Sequence, residues 1–456
     1  MLINKLDNVE VDISSGHKYA IKDIKKGENV IKYGCPIGHA TEDIKVGDHV
    51  HTHNVKTNLS SVLDYTYEPE FYEIKTFSDN KSFYGYVRED GSVGIRNEIW
   101  IINTVGCVNK TAEKLANLTG ARAFTHPFGC SQMGGDQETT QKVLKGLVNH
   151  PNAGGVLVLG LGCENNNIEV FKKVLGSWNE KRVKFLNCQD SKDEISDGVK
   201  IINELQEYAN SFSREKLPIS KLKIGLKCGG SDGFSGITAN PLVGRISDKL
   251  VGYGGSTVLT EVPEMFGAEH LLMKRAESKE IFDKTVKLIN DFKDYYAKNN
   301  QVIYENPSPG NKAGGITTLE EKSLGCIQKG GLSKVVDVLD YGDVLTQNGL
   351  SLLNGPGNDI VACTNLTCAG VHVILFTTGR GTPLGAPVPT IKISTNKTLS
   401  EKKANWIDFD ASPILEGDDS TDALFDYIIE VANGTETKNE INGYREISIF
   451  KSGVTL

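Results

Sequence analysis

Apolar residues change their spacing along this chain, and the changes divide it. Through residues 1–62, short β-type runs (Val9–Ile13, Tyr19–Ile21, Asn29–Tyr33) alternate with turn signals such as Lys26-Gly27-Glu28 and Gly34, with no helical period. A small all-β module is predicted there. Residues 63–80 are polar and aromatic (Tyr65, Tyr67) without period, and read as a linker. Residues 81–218 alternate strand-like runs (Phe83–Val87, Glu98–Val105, Ala121–Phe128, Val156–Leu159, Val183–Asn187) with helix-like ones (Lys110–Leu118, Gln137–Val148, Ile168–Leu175, Ile195–Tyr208). After Pro218 the rhythm restarts and runs through residues 219–456. Strands are expected at Leu222–Leu226, Ser256–Thr260, Val335–Leu339 and Val371–Phe376, and helices at 241–251 and 278–297. Strands separated by helices make βαβ units and a parallel sheet. The predicted architecture is α/β: a small N-terminal all-β module followed by two Rossmann-like, mainly parallel regions.

The run Val156–Leu159 is apolar without a break, as in a strand buried on both faces. It leaves Cys163, Glu164 and Asn165 just beyond its carboxyl end, the edge where open α/β sheets bind ligands. The ending recurs at Gly106-Cys107, Gly129-Cys130 and Cys228-Gly229-Gly230, and the chemistry is expected where these four turns meet.

Composition narrows the partners. At 456 residues the chain exceeds one core. A net charge of −8 argues against nucleic acid or an anionic membrane as partner. Met1–Glu10 has no signal-peptide pattern and no apolar run reaches about 18 residues, so a cytoplasmic protein is expected. Nine cysteines, an odd number, read as thiols or metal ligands, not disulfides.

Three constellations carry candidate chemistry. His51 and His53, spaced i, i+2, share one face if the segment is a strand, and with His17 they are candidate metal ligands. His39 and His49 read as surface histidines. Cys107, Cys130 and Cys163 converge only if their strands are neighbours; three thiolates at one edge would suit iron, as an ion or a cluster, or zinc. Glu164, Asn165, Asp232, Glu261 and Glu264 follow predicted strands and are acid–base or binding candidates. Lys312 and Arg380, in glycine-rich loops, suit a substrate carboxylate. Residues 305–318 have no regular period and read as a functional loop. Neither a dinucleotide glycine pattern nor a P-loop is present.

Several motifs resemble the altronate/galactarate dehydratase family: Gly16-His17-Lys18, His49 to Asn54, Gly94-Ile95-Arg96-Asn97, Gly129-Cys130-Ser131-Gln132, Gly160 to Asn166, Cys228–Asn240, Leu259–Ala268, Glu305–Thr318, Thr378 to Pro383 and the tail Phe450–Leu456. The likeness runs nearly end to end, although the N-terminal (SAF-like) module is shorter than the family pattern. The resemblance implies a hydro-lyase that converts D-altronate to 2-dehydro-3-deoxy-D-gluconate and water in hexuronate (galacturonate) catabolism. Alternatives are galactarate, another aldonate or aldarate, or sulfite elimination from a sulfonated hydroxy acid. It implies Fe²⁺ or Mn²⁺, or alternatively a [4Fe–4S] cluster, and a homo-oligomer, with a dimer expected. On the family's chemistry His17, His51 and His53, or else Cys107, Cys130 and Cys163, hold the metal. Glu164 or Glu264 is the base, His51 can supply the acid, Lys312 or Arg380 clamps the carboxylate, and Asn165 and Asp232 bind substrate.

Overall fold

The computed structural model describes residues 1–59 and 63–453. Its N-terminal module consists of two three-stranded antiparallel sheets. One pairs Val9–Val11, Lys18–Ala20 and His49–Val50; the other pairs Asn29–Lys32, Cys35–Ala40 and Val55–Lys56. Alternate residues (Val9, Val11, Val30, Ile37, Val50) turn inward, as expected when only one face of a strand is covered.

Residues 63–80 contain no helix or strand, and their aromatic content has a structural reason. Tyr65 O–H donates to Glu269, Tyr67 O–H to the Ala276 carbonyl, and Phe77 stacks on Tyr253 at 4.5 Å. The segment is a strap tied along the C-terminal region by polar tips on apolar rings.

Beyond it stand two parallel sheets. The smaller has the order Arg122–Phe124, Glu98–Asn103, Ala153–Gly160, Val183–Asn187. All eight residues of Ala153–Gly160 are buried, as its unbroken apolar run requires. The larger has seven strands in the order Val335–Leu339, Gly349–Leu353, Ser256–Leu259, Lys223–Cys228, Val373–Thr378, Thr390–Ser394, Phe409–Asp410. The α/β architecture with a β-rich N-terminal region is therefore as the apolar pattern predicts. A small antiparallel sheet (Arg214–Pro218, Ser82–Val87, Val93–Gly94) accompanies them.

The structure corrects the reading of several elements. The segment 305–318 contains a short helix, Pro309–Ala313, started by a Ser308–Asn311 capping box. Strands Gly349–Leu353, Thr390–Ser394 and Arg214–Pro218 were not legible as strands. The four cysteine turns do not meet at one edge either: those bearing Cys107, Cys130 and Cys163 belong to the smaller sheet, and Cys228 ends the middle strand of the larger.

The tail brings the two carboxyl edges together. Phe450 N–H donates to the Tyr341 hydroxyl beside the larger sheet, and Ser452 and Gly453 N–H donate to Asp136 at the start of helix Gly134–Asn149 beside the smaller. One hydrophobic cluster joins the N-terminal module to the larger sheet, and the contact of Gly16 with Gly233, just past the end of Lys223–Cys228, places that module at the sheet's carboxyl edge.

Candidate active site

The docking of the module is built on close approach and buried charge. A Cβ on Gly233 would stand 2.0 Å from the Gly16 carbonyl oxygen, so only glycine admits the module this close. Lys18 Nζ, fully buried, donates to the Gly315 carbonyl at 2.9 Å and lies 2.9 Å from Glu321. Lys32 reaches the other Glu321 oxygen at 2.7 Å. Burial alone would raise the Glu321 carboxyl, but Lys18 and Lys32 outweigh it and hold it at about 2. Burial dominates at Lys18 and, with Lys32 adding to it, takes its ammonium down to about 8 against the pull of Glu321. Two cations on one buried carboxylate make Glu321 costly to remove.

Four histidines gather above this junction. His17 Nδ1 and His49 Nε2 are 3.0 Å apart, and His51 Nδ1 is 3.0 Å from Thr317 Oγ1. His49 is the hub, its ring 5.1 Å from His17, 5.6 Å from His51 and 5.5 Å from His53. The grouping holds, but for a reason other than spacing along a strand. The strand ends at Val50, and residues 51–54 form a turn that Asn54 closes by accepting from His51 N–H and donating to the His49 carbonyl. His49, read as a surface residue, joins the cluster because its strand pairs with that of Lys18 and Tyr19. His39 lies apart and meets Asn58. Burial first, then Lys18, lowers His51 to about 4; burial, then His17, lowers His49. Both imidazoles are therefore neutral near pH 7, the form that accepts a proton or binds a metal.

Two cations flank the turn 230–233 beneath the module. Lys312 lies half-buried in the helix Pro309–Ala313, which leans on that turn through Asn311 Nδ2 to the Ser231 carbonyl at 2.8 Å. Arg380 is exposed, its backbone N–H donating to the Gly230 carbonyl at 2.9 Å. Asp232 is tied into these turns. Its carboxylate accepts from Phe234 N–H, Ser235 Oγ, Thr395 Oγ1 and Asn396 Nδ2, and a Cβ on Gly379 would lie 2.2 Å from its Cγ. It locks the surrounding turns together, and burial raises its carboxyl.

Glu264 closes the turn Val262–Glu264 and is buried. Lys322 donates to one oxygen at 2.6 Å, and the other lies 3.1 Å from both Cys228 Sγ and Cys326 Sγ. Cys326, Lys322 and Lys329 were not singled out from the sequence. The helix Leu319–Cys326 is buried all round, so no amphipathic period marks which of its side chains face the turn.

At the smaller sheet the three cysteine strands are neighbours, as convergence requires. Their turns interlock: Gly106 N–H donates to the Phe128 carbonyl, Asn166 N–H to the Gly129 carbonyl, and Asn165 Oδ1 lies 3.3 Å from Cys130 Sγ. Cys107, Cys130 and Cys163 are all exposed. Among the described residues, the three donors that lie within 4.8 Å of one another are Cys228, Glu264 and Cys326. Neither the three edge sulfurs nor any three ring nitrogens of the histidine cluster form such a group. Glu164 accepts from Thr104 Oγ1 (2.6 Å), Leu161 N–H (3.0 Å) and Gly162 N–H (2.6 Å). Burial raises its carboxyl, but these donors outweigh that and lower it. Its geometry is that of a turn lock.

Comparison with known proteins defines the class. The matching family models are "D-galactarate/Altronate dehydratase, C-terminal" over residues 219–455, "D-galactarate dehydratase/Altronate hydrolase, second domain" over 85–210 and "Altronate/galactarate dehydratase SAF domain" over 3–58. The chain belongs to the altronate/galactarate dehydratase family and is a hydro-lyase acting on sugar acids. Within the family it is similar to altronate dehydratase of Bacillus subtilis (strain 168), with 54% identity covering 98% of this chain and 93% of that one. Altronate dehydratase of Escherichia coli (strain K12) is 52% identical over 99% and 94%, and its galactarate dehydratase (L-threo-forming) 32% over 92% and 86%. No helix among the described residues is long and apolar enough to cross a membrane.

Proposed function

We propose that this chain dehydrates D-altronate to 2-dehydro-3-deoxy-D-gluconate, at the carboxyl edge of the seven-stranded sheet beneath the N-terminal module. The observation that carries the placement is the group of four histidines held against the turns 230–233 and 314–317. One pair of these histidines fits a divalent ion. Two cis ligands of one octahedral ion with bonds of about 2.1 Å stand about 3 Å apart, and His17 Nδ1 and His49 Nε2 are 3.0 Å apart. His17 and His49 would hold Fe²⁺ or Mn²⁺, with substrate oxygens completing the shell; His51 and His53 bring no third ring nitrogen within 4.8 Å of both. Such an ion, when bound, stabilises the charge that develops on the substrate carboxylate as C2 loses its proton.

The chain's own groups supply the rest. Lys312 and Arg380 flank the turn 230–233 and fix the substrate carboxylate as cations. A neutral imidazole of the cluster, His51 foremost, takes the C2 proton. The C3–O bond breaks, the departing hydroxyl receives a proton as water, and the resulting enol ketonises. Glu164 and Glu264 are already engaged by amide, hydroxyl, thiol and ammonium donors, so proton transfer falls to the histidines. A second reading of the metal, a [4Fe–4S] cluster on Cys107, Cys130 and Cys163, is favoured by their exposure on three interlocked turns.

The test is product analysis on anaerobically purified protein supplied with Fe²⁺. A 2-keto-3-deoxy acid from D-altronate supports the assignment. Product from galactarate alone, or sulfite from a sulfonated hydroxy acid, would replace it. A cluster absorption lost with activity in Cys107→Ser would move the metal to the cysteines.

A further inference from the structure

The buried thiols of the larger sheet lie outside the proposed chemistry, and their geometry is unusual. Cys228 ends the sheet's middle strand, Glu264 ends the turn after the neighbouring strand, and Cys326 ends the helix Leu319–Cys326. Three separate elements thus deliver one donor each to a common point. The sulfurs are 3.4 Å apart, and Glu264 Oε2 is 3.1 Å from each. Exposure is 1% at Cys228, 3% at Cys326 and 6% at Glu264.

Two ammonium groups adjoin these donors. Lys322 occupies the other oxygen of Glu264 at 2.6 Å, and Lys329 Nζ is 2.9 Å from Cys228 Sγ. Partners that orient the ligands from behind are what the outer shell of a metal site supplies. We propose that Cys228, Cys326 and Glu264 form a second, structural site for a borderline-soft divalent ion such as Zn²⁺ or Fe²⁺, separate from the histidine cluster. Two thiolates and one carboxylate are the donor set such ions take.

The electrostatics agree with this geometry. The hydrogen bond from Cys326 lowers the Cys228 thiol against the opposing effect of burial, and Lys329 lowers it further. Burial would raise Glu264, but Lys322, Lys227 and Lys329 outweigh it and keep it ionised. The bond to Cys228 and burial raise the Cys326 thiol. A small cavity lined by Cys326, Lys322, Ser231 and Asp232 opens Cys326 toward the turn beneath the histidines. A bound ion would clamp the middle strand, the turn and the helix together below that turn.

The inference does not depend on the proposed reaction, because its test needs no substrate. The full chain carrying Cys107→Ser, Cys130→Ser and Cys163→Ser, free of edge thiols, is titrated with Co²⁺ alone. Cobalt is expected to bind at the histidines without sulfur and, as a further equivalent, at the thiols with thiolate-to-cobalt charge-transfer absorption, which is lost on adding Cys326→Ala. X-ray absorption at the cobalt edge, which requires no further variant, is expected to find two sulfur ligands. Absence of the charge-transfer band, its survival in Cys326→Ala, or a sulfur-free coordination sphere would overturn the site and leave a hydrogen-bonded thiol pair.

Discussion

Histidine occurs in two settings in this molecule. His126, His150 and His372 are buried in the α/β core. Both nitrogens of His150 meet backbone groups, Nδ1 accepting from Asn152 N–H and Nε2 meeting the Val371 carbonyl at 3.0 Å. His126 repeats the pattern with Phe128 N–H and the Asn103 carbonyl, and His372 Nδ1 accepts from Lys223 N–H. An acceptor fixed at Nδ1 by an amide and a donor fixed at Nε2 by a carbonyl leave one tautomer and no free nitrogen. His17, His49, His51 and His53 face one another and a threonine hydroxyl instead, where the module is half-exposed. The type of partner separates the two groups as burial does. Backbone partners make a histidine a structural bridge; side-chain partners leave it free to exchange a proton or take a metal.

Substitutions sharpen this contrast. His51→Ala is expected to lower kcat by roughly 10²–10⁴-fold, the scale of a lost general base, with the melting temperature little changed; steady-state kinetics beside calorimetry check both. Glu321→Gln strands Lys18 and Lys32 at the junction that holds the module. A loss of about 3–5 kcal/mol is expected from breaking a buried pair, read by chemical denaturation. His150→Ala orphans a buried amide and a carbonyl, and about 1–3 kcal/mol is expected for each group left unsatisfied. Its folded fraction should retain wild-type kcat, the reverse of His51→Ala.

Acid acts on the core group in a definite direction. Burial lowers His126 to about 4 and His150 to about 3. Burial with the nearby Lys223 and His150 lowers His372 to about 3. The unfolded chain takes these protons near pH 6.5 and the folded chain does not, so the unfolded state binds more protons between these values. Stability is therefore fully present above about pH 6.5 and falls as pH drops toward 4, by up to the order of 3 kcal/mol per histidine. Denaturation midpoints across this window check the sign. The smallest effect is expected at His39, whose partner Asn58 is on the surface: His39→Ala should change stability by less than about 0.5 kcal/mol and leave kcat unaltered.

The sequence makes the local part of this picture legible. The unbroken run Val156–Leu159 lies inside the strand Ala153–Gly160, Val335–Leu339 is a strand as expected, and His17, His51 and His53 stand out as a local concentration of imidazoles. What stays hidden depends on distant pairing. His49 enters the cluster through its register with Tyr19. Cys326 meets Cys228 from a helix with no polar face. The short helix at 309–313 rests on a capping box that counting periods does not register. Asp232, Glu164 and Glu264 follow strands, as candidate acids do, yet only their hydrogen-bond partners reveal whether each holds a turn or is free to react.

The central claim is that the module's histidines do the chemistry. The most direct measurement is Fe²⁺-dependent formation of 2-keto-3-deoxy acid from D-altronate by the wild-type chain, His51→Ala and His150→Ala, each normalised to folded protein. Product from wild type and His150→Ala with near-complete loss in His51→Ala is the predicted result. Undiminished turnover in folded His51→Ala would contradict it.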